Sequence, residues 1–278
     1  MEDLVGRVAV VTGGAGGIGR ATAARLAADG MSVVVADLDE AAIAGAVLQI
    51  RESGGDAIGV RTDVTDPAQV TRLADQTLDR FGAVNVVFLN AGVVIGGRVE
   101  ELTEEEWRWV LDVDLWGVIR GVRTFLPLIE REGEGHLIAT SSTSGVGAPV
   151  FNGPYAVAKA GVIAVMETLR RELDDRQSAV GAGVLIPGPV RTGLVRTSAA
   201  MAESIGRTSD TSSGHRFHHT AHTLLQETGL DPATVAAMVL DAIRTNRFWV
   251  LTHPEWAGVL RNRVEAMVTT GELTARAP

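Results

Sequence analysis

The sequence predicts an α/β protein built on a doubly wound parallel sheet, and three observations carry that prediction. Short, continuous β-branched runs alternate with longer segments of helical periodicity, the pattern of strands covered on both faces. A glycine-rich turn, Thr12-Gly13-Gly14-Ala15-Gly16-Gly17-Ile18-Gly19, lies between the first such run and the first helical segment. The 278 residues are 46% apolar and only 4% aromatic, which suits one large α/β domain with a full core; no linker composition divides them, so residues 1–278 read as a single domain.

Strands are expected at Val8 to Val11, Val33 to Ala36, Ala57 to Val60, Val86 to Leu89, Leu137 to Ala139 and Val184 to Ile186. The intervening helices are expected over residues 17–30, 40–53, 67–80, 104–131 and 153–176, with Asp66-Pro67 and Thr103-Glu104-Glu105-Glu106 as starts. Gly30, Gly54 and Gly82 stand where helices should stop. From 193 to 230 Ser, Thr, Gly and His are dense and periodicity is poor, so this stretch reads as a mobile, solvated lid over the substrate. A helix from Pro232 to Thr245, a last strand at Phe248 to Leu251 and a C-terminal helix after Pro254 complete the expected order.

The bulk numbers exclude several classes. A formal charge of -9 argues against nucleic acid as a partner, since phosphate binding wants a cationic face. Zero cysteines excludes disulfides and thiolate chemistry. Met1-Glu2-Asp3 leads directly into the first strand without a signal peptide's basic region, and no apolar run approaches the ~20 residues that span a bilayer. The expectation is a soluble, cytoplasmic protein with no membrane partner.

Glycines between a strand and a helix allow a tight turn and close backbone approach to a pyrophosphate, which the helix N-terminus holds through its free N–H groups. Asp37 closes the second expected strand, near the ~20-residue offset of a ribose-binding carboxylate. A carboxylate there repels a 2'-phosphate, and the turn offers no basic residue before Gly17, so NAD is the expected cofactor over NADP. Arg20 is expected to face away. The chain's one tyrosine and one lysine, Tyr155 and Lys159, stand four apart and share a helix face. A free phenol titrates near ~10 and must fall by about 3 units, ~4 kcal/mol, to exchange protons near neutrality. A cation at ~4 Å and an effective dielectric of ~20 supplies about that much.

Together these residues resemble the short-chain dehydrogenase/reductase family, a Rossmann fold. The T-G-x-x-x-G-x-G turn is Thr12, Gly13, Gly17 and Gly19; Asp63-Val64 resembles the adenine-contacting pair; Asn90-Ala91-Gly92 resembles the N-A-G that closes the fourth strand. Ser142 stands thirteen residues before Tyr155, and Pro187-Gly188-Pro189-Val190-Arg191-Thr192 resembles the family's P-G-x-V-x-T segment. The resemblance implies hydride transfer between a carbinol carbon and nicotinamide C4. Tyr155 would be the acid/base, Lys159 would bind the nicotinamide ribose and lower the tyrosine pKa, and Ser142 would orient the substrate oxygen. It implies nicotinamide contacts from Val190 and Thr192, and a homodimer or homotetramer.

One position departs from the family. Asp114 in Leu111-Asp112-Val113-Asp114-Leu115-Trp116-Gly117 stands where an asparagine usually holds a proton-relay water. At roughly 7 Å and an effective dielectric of ~20, an ionised aspartate opposes tyrosine ionisation by ~2 kcal/mol. The expected outcome is an active enzyme working at higher pH; the alternative is an Asp114 that is protonated or paired with Lys159. Val94, Ile95, Val146, Ala148, Leu194 and Val195 suggest an apolar pocket for a hydrophobic secondary alcohol or ketone, although each reads equally as core. His218 and His222 have metal-ligand spacing, but no H-E-x-x-H glutamate lies between them, so no metal is expected. Trp107, Trp109, Trp116 and Phe125 exceed what one buried helix face absorbs and point to a subunit contact. The rival readings are a dinucleotide-binding sensor or structural subunit without turnover, and a methyltransferase, which has no use for the Ser-Tyr-Lys set.

Overall fold

Seven parallel strands form one sheet in the order β3-β2-β1-β4-β5-β6-β7. They are β1 (Val8–Thr12), β2 (Ser32–Asp37), β3 (Ala57–Arg61), β4 (Val86–Leu89), β5 (Gly135–Thr140), β6 (Val180–Ile186) and β7 (Trp249–Leu251). The computed structural model describes residues 1, 3–206 and 211–273. Each strand lies on its expected run. The largest extension is at the start of β6, where Gly181 and Gly183 interrupt the apolar pattern. Those glycines make room for the neighbouring strand, since a Cβ on Gly181 would lie 2.4 Å from Nδ1 of His136.

The helices are α1 (Gly17–Ala28), α2 (Glu40–Glu52), α3 (Pro67–Phe81), α4 (Glu104–Leu111), α5 (Gly117–Arg131), α6 (Thr143–Gly147), α7 (Gly153–Asp175), α8 (Leu194–Ser204), α9 (Ser212–Glu227), α10 (Pro232–Thr245) and α11 (Ala257–Thr269). Their ends follow local chemistry. Asp66 caps α3 through the Ala68 N–H with Pro67 next in line, and Gly82 ends it in the left-handed region at φ 77°. Thr103 and Glu106 form a reciprocal capping box on α4. Leu26, Ile43 and Leu240 pack α1, α2 and α10 on one face of the sheet, while Leu73, Phe125 and Met166 pack α3, α5 and α7 on the other. Among the described residues no helix is long and apolar enough to cross a membrane.

Three expectations need correction. The helix expected over 104–131 is interrupted by a π-turn, Asp112–Trp116. An extra residue rotates everything after it, and Arg120 braces the break by donating to the backbone oxygens of Asp112 and Val64, both at 3.2 Å. The stretch read as a loop is largely α8 and α9, with residues 207–210 outside those described. α9 is capped by the Thr211 hydroxyl and held by Phe217, Ala221 and Leu225, a four-residue spacing that polar neighbours mask in the sequence. The aromatic surplus is also mostly absorbed, because Phe125 and Trp109 are buried in different clusters and Trp107 packs against the second of these; Trp116 is 49% exposed.

Candidate active site

A cavity of about 1000 Å³ lies beyond the C-terminal ends of the strands, where the order reverses between β1 and β4. Open α/β sheets place ligands at this switch point, and the volume is at the upper end of the ~300–1,000 Å³ usual for one ligand. Gly13, Gly17 and Ile18 line it, together with Asp37, Asp63, Val64, Asn90, Ala91 and Gly92. Pro187, Gly188, Val190 and Thr192 line it from the loop after β6.

The glycine turn is cut to the backbone around it. Gly13 and Gly17 have φ of 61° and 49°. A Cβ on Gly13 would lie 2.9 Å from the Ala91 Cα, and one on Gly17 would lie 2.9 Å from Cγ2 of Thr192. Thr12 and Gly19 do not line the cavity; they hold the turn from beneath. The Thr12 hydroxyl accepts from the N–H groups of Asn90 at 3.0 Å and Ala91 at 3.3 Å, and a Cβ on Gly19 would come 2.0 Å from the Gly13 carbonyl oxygen. Asp37 accepts from the Ala15 N–H at 3.0 Å and the Leu38 N–H at 2.8 Å, with its neighbour Leu38 also on the cavity wall. Asp63 is turned to its own loop, accepting from the Thr65 N–H and hydroxyl. Arg20 faces a second groove of about 480 Å³, shared with Arg191, Arg196 and His222, and donates to Gln49 at 2.9 Å. These features fit a dinucleotide: a bare backbone cradle at a helix N-terminus, then a carboxylate with spare acceptor capacity.

Ser142, Tyr155 and Lys159 line the same cavity. Ser142 caps α6 by accepting from the Ser144 N–H at 3.1 Å. Lys159 is 2% exposed; its Nζ donates to the Thr140 carbonyl at 3.0 Å, meets Asp114 Oδ2 at 3.0 Å and lies 5.3 Å from the centre of the Tyr155 ring. Asp114 comes in behind the lysine from the π-turn, and its Oδ1 accepts from the Val93 N–H at 2.8 Å. The Lys159 contact is an ion pair and not an aligned hydrogen bond, so Oδ2 has no well-oriented donor among the described residues. A Cβ on Gly92 would lie 3.0 Å from that oxygen.

Burial sets the titration of this group. It pushes the Tyr155 phenol above its ordinary value, outweighing the downward pull of Lys159; Asp114 pushes the same way as burial, and a hydrogen bond with Ser142 pulls down. Lys159 pulls the phenol in the expected direction, while the desolvation of a buried phenolate works against it. Burial lowers Lys159, but the charges of Asp114 and Tyr155 leave it above its ordinary value. Burial raises Asp114, against the pull of Lys159. The paired alternative for Asp114 is the geometry found.

Of the residues expected to touch substrate, Val94, Ala148, Leu194 and Val195 line the cavity, whereas Ile95 and Val146 belong to the core. Phe151, Asn152, Phe217 and Trp256 also line it and were not foreseen. Asn152 is buried, and its Oδ1 has no hydrogen-bond partner among the described residues. Its one sequence signal is the Asn-Gly-Pro step just before Tyr155. His218 is lowered by burial and by His215, and among the described residues no three His, Asp or Glu side chains converge as metal ligands would.

Residues 7–203 match the family model described as short chain dehydrogenase. The fold matches a short-chain dehydrogenase/reductase from Burkholderia phymatum, solved with NAD, at a TM-score of 0.96 and 35% identity, covering 100% of both chains. A 1-deoxy-11-beta-hydroxypentalenate dehydrogenase of Streptomyces exfoliatus is 34% identical over 262 residues, 93% of this chain and 87% of its own. An actinorhodin polyketide ketoreductase solved with NADPH matches at a TM-score of 0.75 and 27% identity, covering 91% of this chain and 97% of that one. Alike in sequence over most of its length and in fold over all of it, the chain belongs to the short-chain dehydrogenase/reductase family of oxidoreductases.

Proposed function

We propose that the protein is an NAD-dependent dehydrogenase or ketone reductase acting on a hydrophobic secondary alcohol, with Tyr155 as its acid/base. The observation that carries this reading is the meeting of Ser142, Tyr155 and Lys159 on the wall of the cavity that the glycine turn also lines. A nicotinamide held there supplies the two-electron chemistry. Ser142 orients the substrate oxygen, Tyr155 moves its proton, and the Lys159 ammonium favours the phenolate that burial resists. Asp114 keeps that ammonium charged and in place while adding its own opposing field.

NAD is favoured because Asp37 and Leu38 form the wall where a 2'-phosphate would sit and Arg20 is turned to the neighbouring groove. The relatives include an NAD complex and an NADPH complex, so this choice rests on the local chemistry. The α8–α9 segment acts as the substrate lid of a single domain spanning residues 1–278, and the exposed Trp116, Val264 and Met267 support assembly into a homodimer or homotetramer. The test is incubation with NAD or NADP and a panel of secondary alcohols from small aliphatic to polycyclic, following reduced nicotinamide. Turnover with NAD and at least ten-fold less with NADP is expected. Silence with demonstrated NAD binding would favour the sensor reading instead.

A further inference from the structure

The cavity beyond Tyr155 is walled by Val94, Leu194, Val195, Met201 and Phe217, and its acidic members, Asp37 and Asp63, belong to the opposite, glycine-turn half. Three guanidinium groups line the cavity: Arg196 of α8 also faces the neighbouring groove, and the other two interrupt the apolar half. Arg216 comes from α9 and Arg263 from α11, yet both are seated on the loop that leads from Ser142 to Tyr155. Arg263 Nη1 donates to the Val146 carbonyl at 2.5 Å, and the Arg216 guanidinium lies 5.4 Å from the centre of the Phe151 ring. Among the described residues neither is paired with a carboxylate, although the chain carries a net charge of -9.

The loop between them is held in a costly conformation. Ala148 and Phe151 both line the cavity and have φ of 43° and 62°. Non-glycine residues in the left-handed region persist where surrounding structure enforces them, and they cluster at ligand clamps. Here they set Phe151 under one arginine and the Val146 carbonyl under the other.

We propose that the substrate is an apolar secondary alcohol, or the matching ketone, that carries a carboxylate, and that Arg216 and Arg263 receive this carboxylate at the rim of the cavity. The proposal rests on the dehydrogenase reading for the reacting end and adds the chemistry of the far end. An apolar body suits the walls, and a planar anion suits guanidinium forks that have no carboxylate partner among the described residues. The carbinol oxygen would lie at Ser142 and Tyr155, and the strained loop would space it from the carboxylate.

A binding experiment tests this without turnover. The Tyr155→Phe protein loaded with NADH is titrated with 4-oxocyclohexanecarboxylate, with lithocholate and with the methyl ester of each, following nicotinamide fluorescence. At least one acid should bind ten-fold or more tighter than its ester, and Arg216→Met together with Arg263→Met should bring that ratio near one. Arg108→Met, on the exposed face of α4, should leave the ratio intact. Equal binding of acids and esters, no binding of either acid, or a preference that survives both substitutions overturns the proposal. Turnover of uncharged alcohols without any acid preference would overturn it while leaving the dehydrogenase reading standing. Acid preference without turnover would support it and count against that reading.

Discussion

The glycine turn and the helices α8 and α9 meet across one cavity and are held by different forces. The first is fixed by backbone: the Thr12 hydroxyl accepts two N–H groups, Asn90 donates to the Gly13 carbonyl at 3.3 Å, and Gly13, Gly14, Gly17 and Gly19 leave no space for a Cβ. The second is fixed by a few side chains. Phe217 fills the hollow over Gly96, the Ser198 hydroxyl accepts from the Val94 N–H at 3.0 Å, and Ser213 bonds Glu101. Backbone contacts without free volume admit one residue type, whereas side-chain contacts admit many. The cofactor end of such a site is therefore rigid and its substrate end adjustable.

The largest expected effect tests the rigid end. Gly19→Ala would drive a Cβ to 2.0 Å from the Gly13 oxygen and 2.7 Å from Asn90 Nδ2, neither of which can retreat without opening the turn. We expect NADH affinity to fall ten- to a hundred-fold and stability to drop by roughly 3 kcal/mol, the upper end of overpacking costs. Unchanged titration and urea unfolding would break the comparison at its firmer side.

Next is the sheet that carries both ends. His136 on β5 is buried with Nε2 unpartnered, and burial, with help from the N-terminal and Arg170 charges, pushes its pKa down to about 3. The folded chain keeps this imidazole neutral while the unfolded chain protonates it below ~6.5, so stability falls as pH drops from ~6.5 towards about 3. At roughly 1.4 kcal/mol per pH unit, moving from pH 6.5 to 5 removes about 2 kcal/mol. In His136→Leu this part of the acid sensitivity should vanish from urea midpoints measured at the two pH values. An equally steep loss in the variant would assign it elsewhere.

Asp114 sits where the two ends join, on the π-turn and against Lys159. Its charge adds to the burial that raises Tyr155. Asp114→Asn removes that charge, so the tyrosine pKa should fall and the rising, acid-side limb of the oxidation profile should move to lower pH. A profile unchanged from the parent would mean that the ion pair already cancels the aspartate's field at the phenol.

The same contrast explains what could be read in advance. Val86–Leu89 and Pro232–Thr245 match expectation end to end, because one is a continuous apolar run and the other has an aspartate and a proline at its start. The glycine turn and the Ser142, Tyr155, Lys159 set are legible because each demands particular residue types at fixed spacing. The π-turn is not, since helical periodicity runs on both sides of it and one added residue shows only as a phase shift. α9 escapes because Phe217, Ala221 and Leu225, its apolar contacts to the cluster over the cavity among the described residues, stand among serines, threonines and histidines. Arg263 reaches the cavity through a contact 117 residues distant, and no local pattern records that.

The smallest effect comes from the adjustable end. A Cβ on Gly96 would fall 2.2 Å from Phe217 Cγ, but that neighbour is a side chain on a helix held by few contacts. Gly96→Ala should therefore displace Phe217 and shift α9 without disturbing the glycine turn, costing about 1 kcal/mol at the low end of overpacking. The expected readout is a KM for the alcohol raised several-fold with NAD affinity unchanged, measured by steady-state kinetics beside NADH titration. If NAD affinity fell in parallel, the two ends would be mechanically coupled, and the lid would be part of the cofactor site instead of an independent wall.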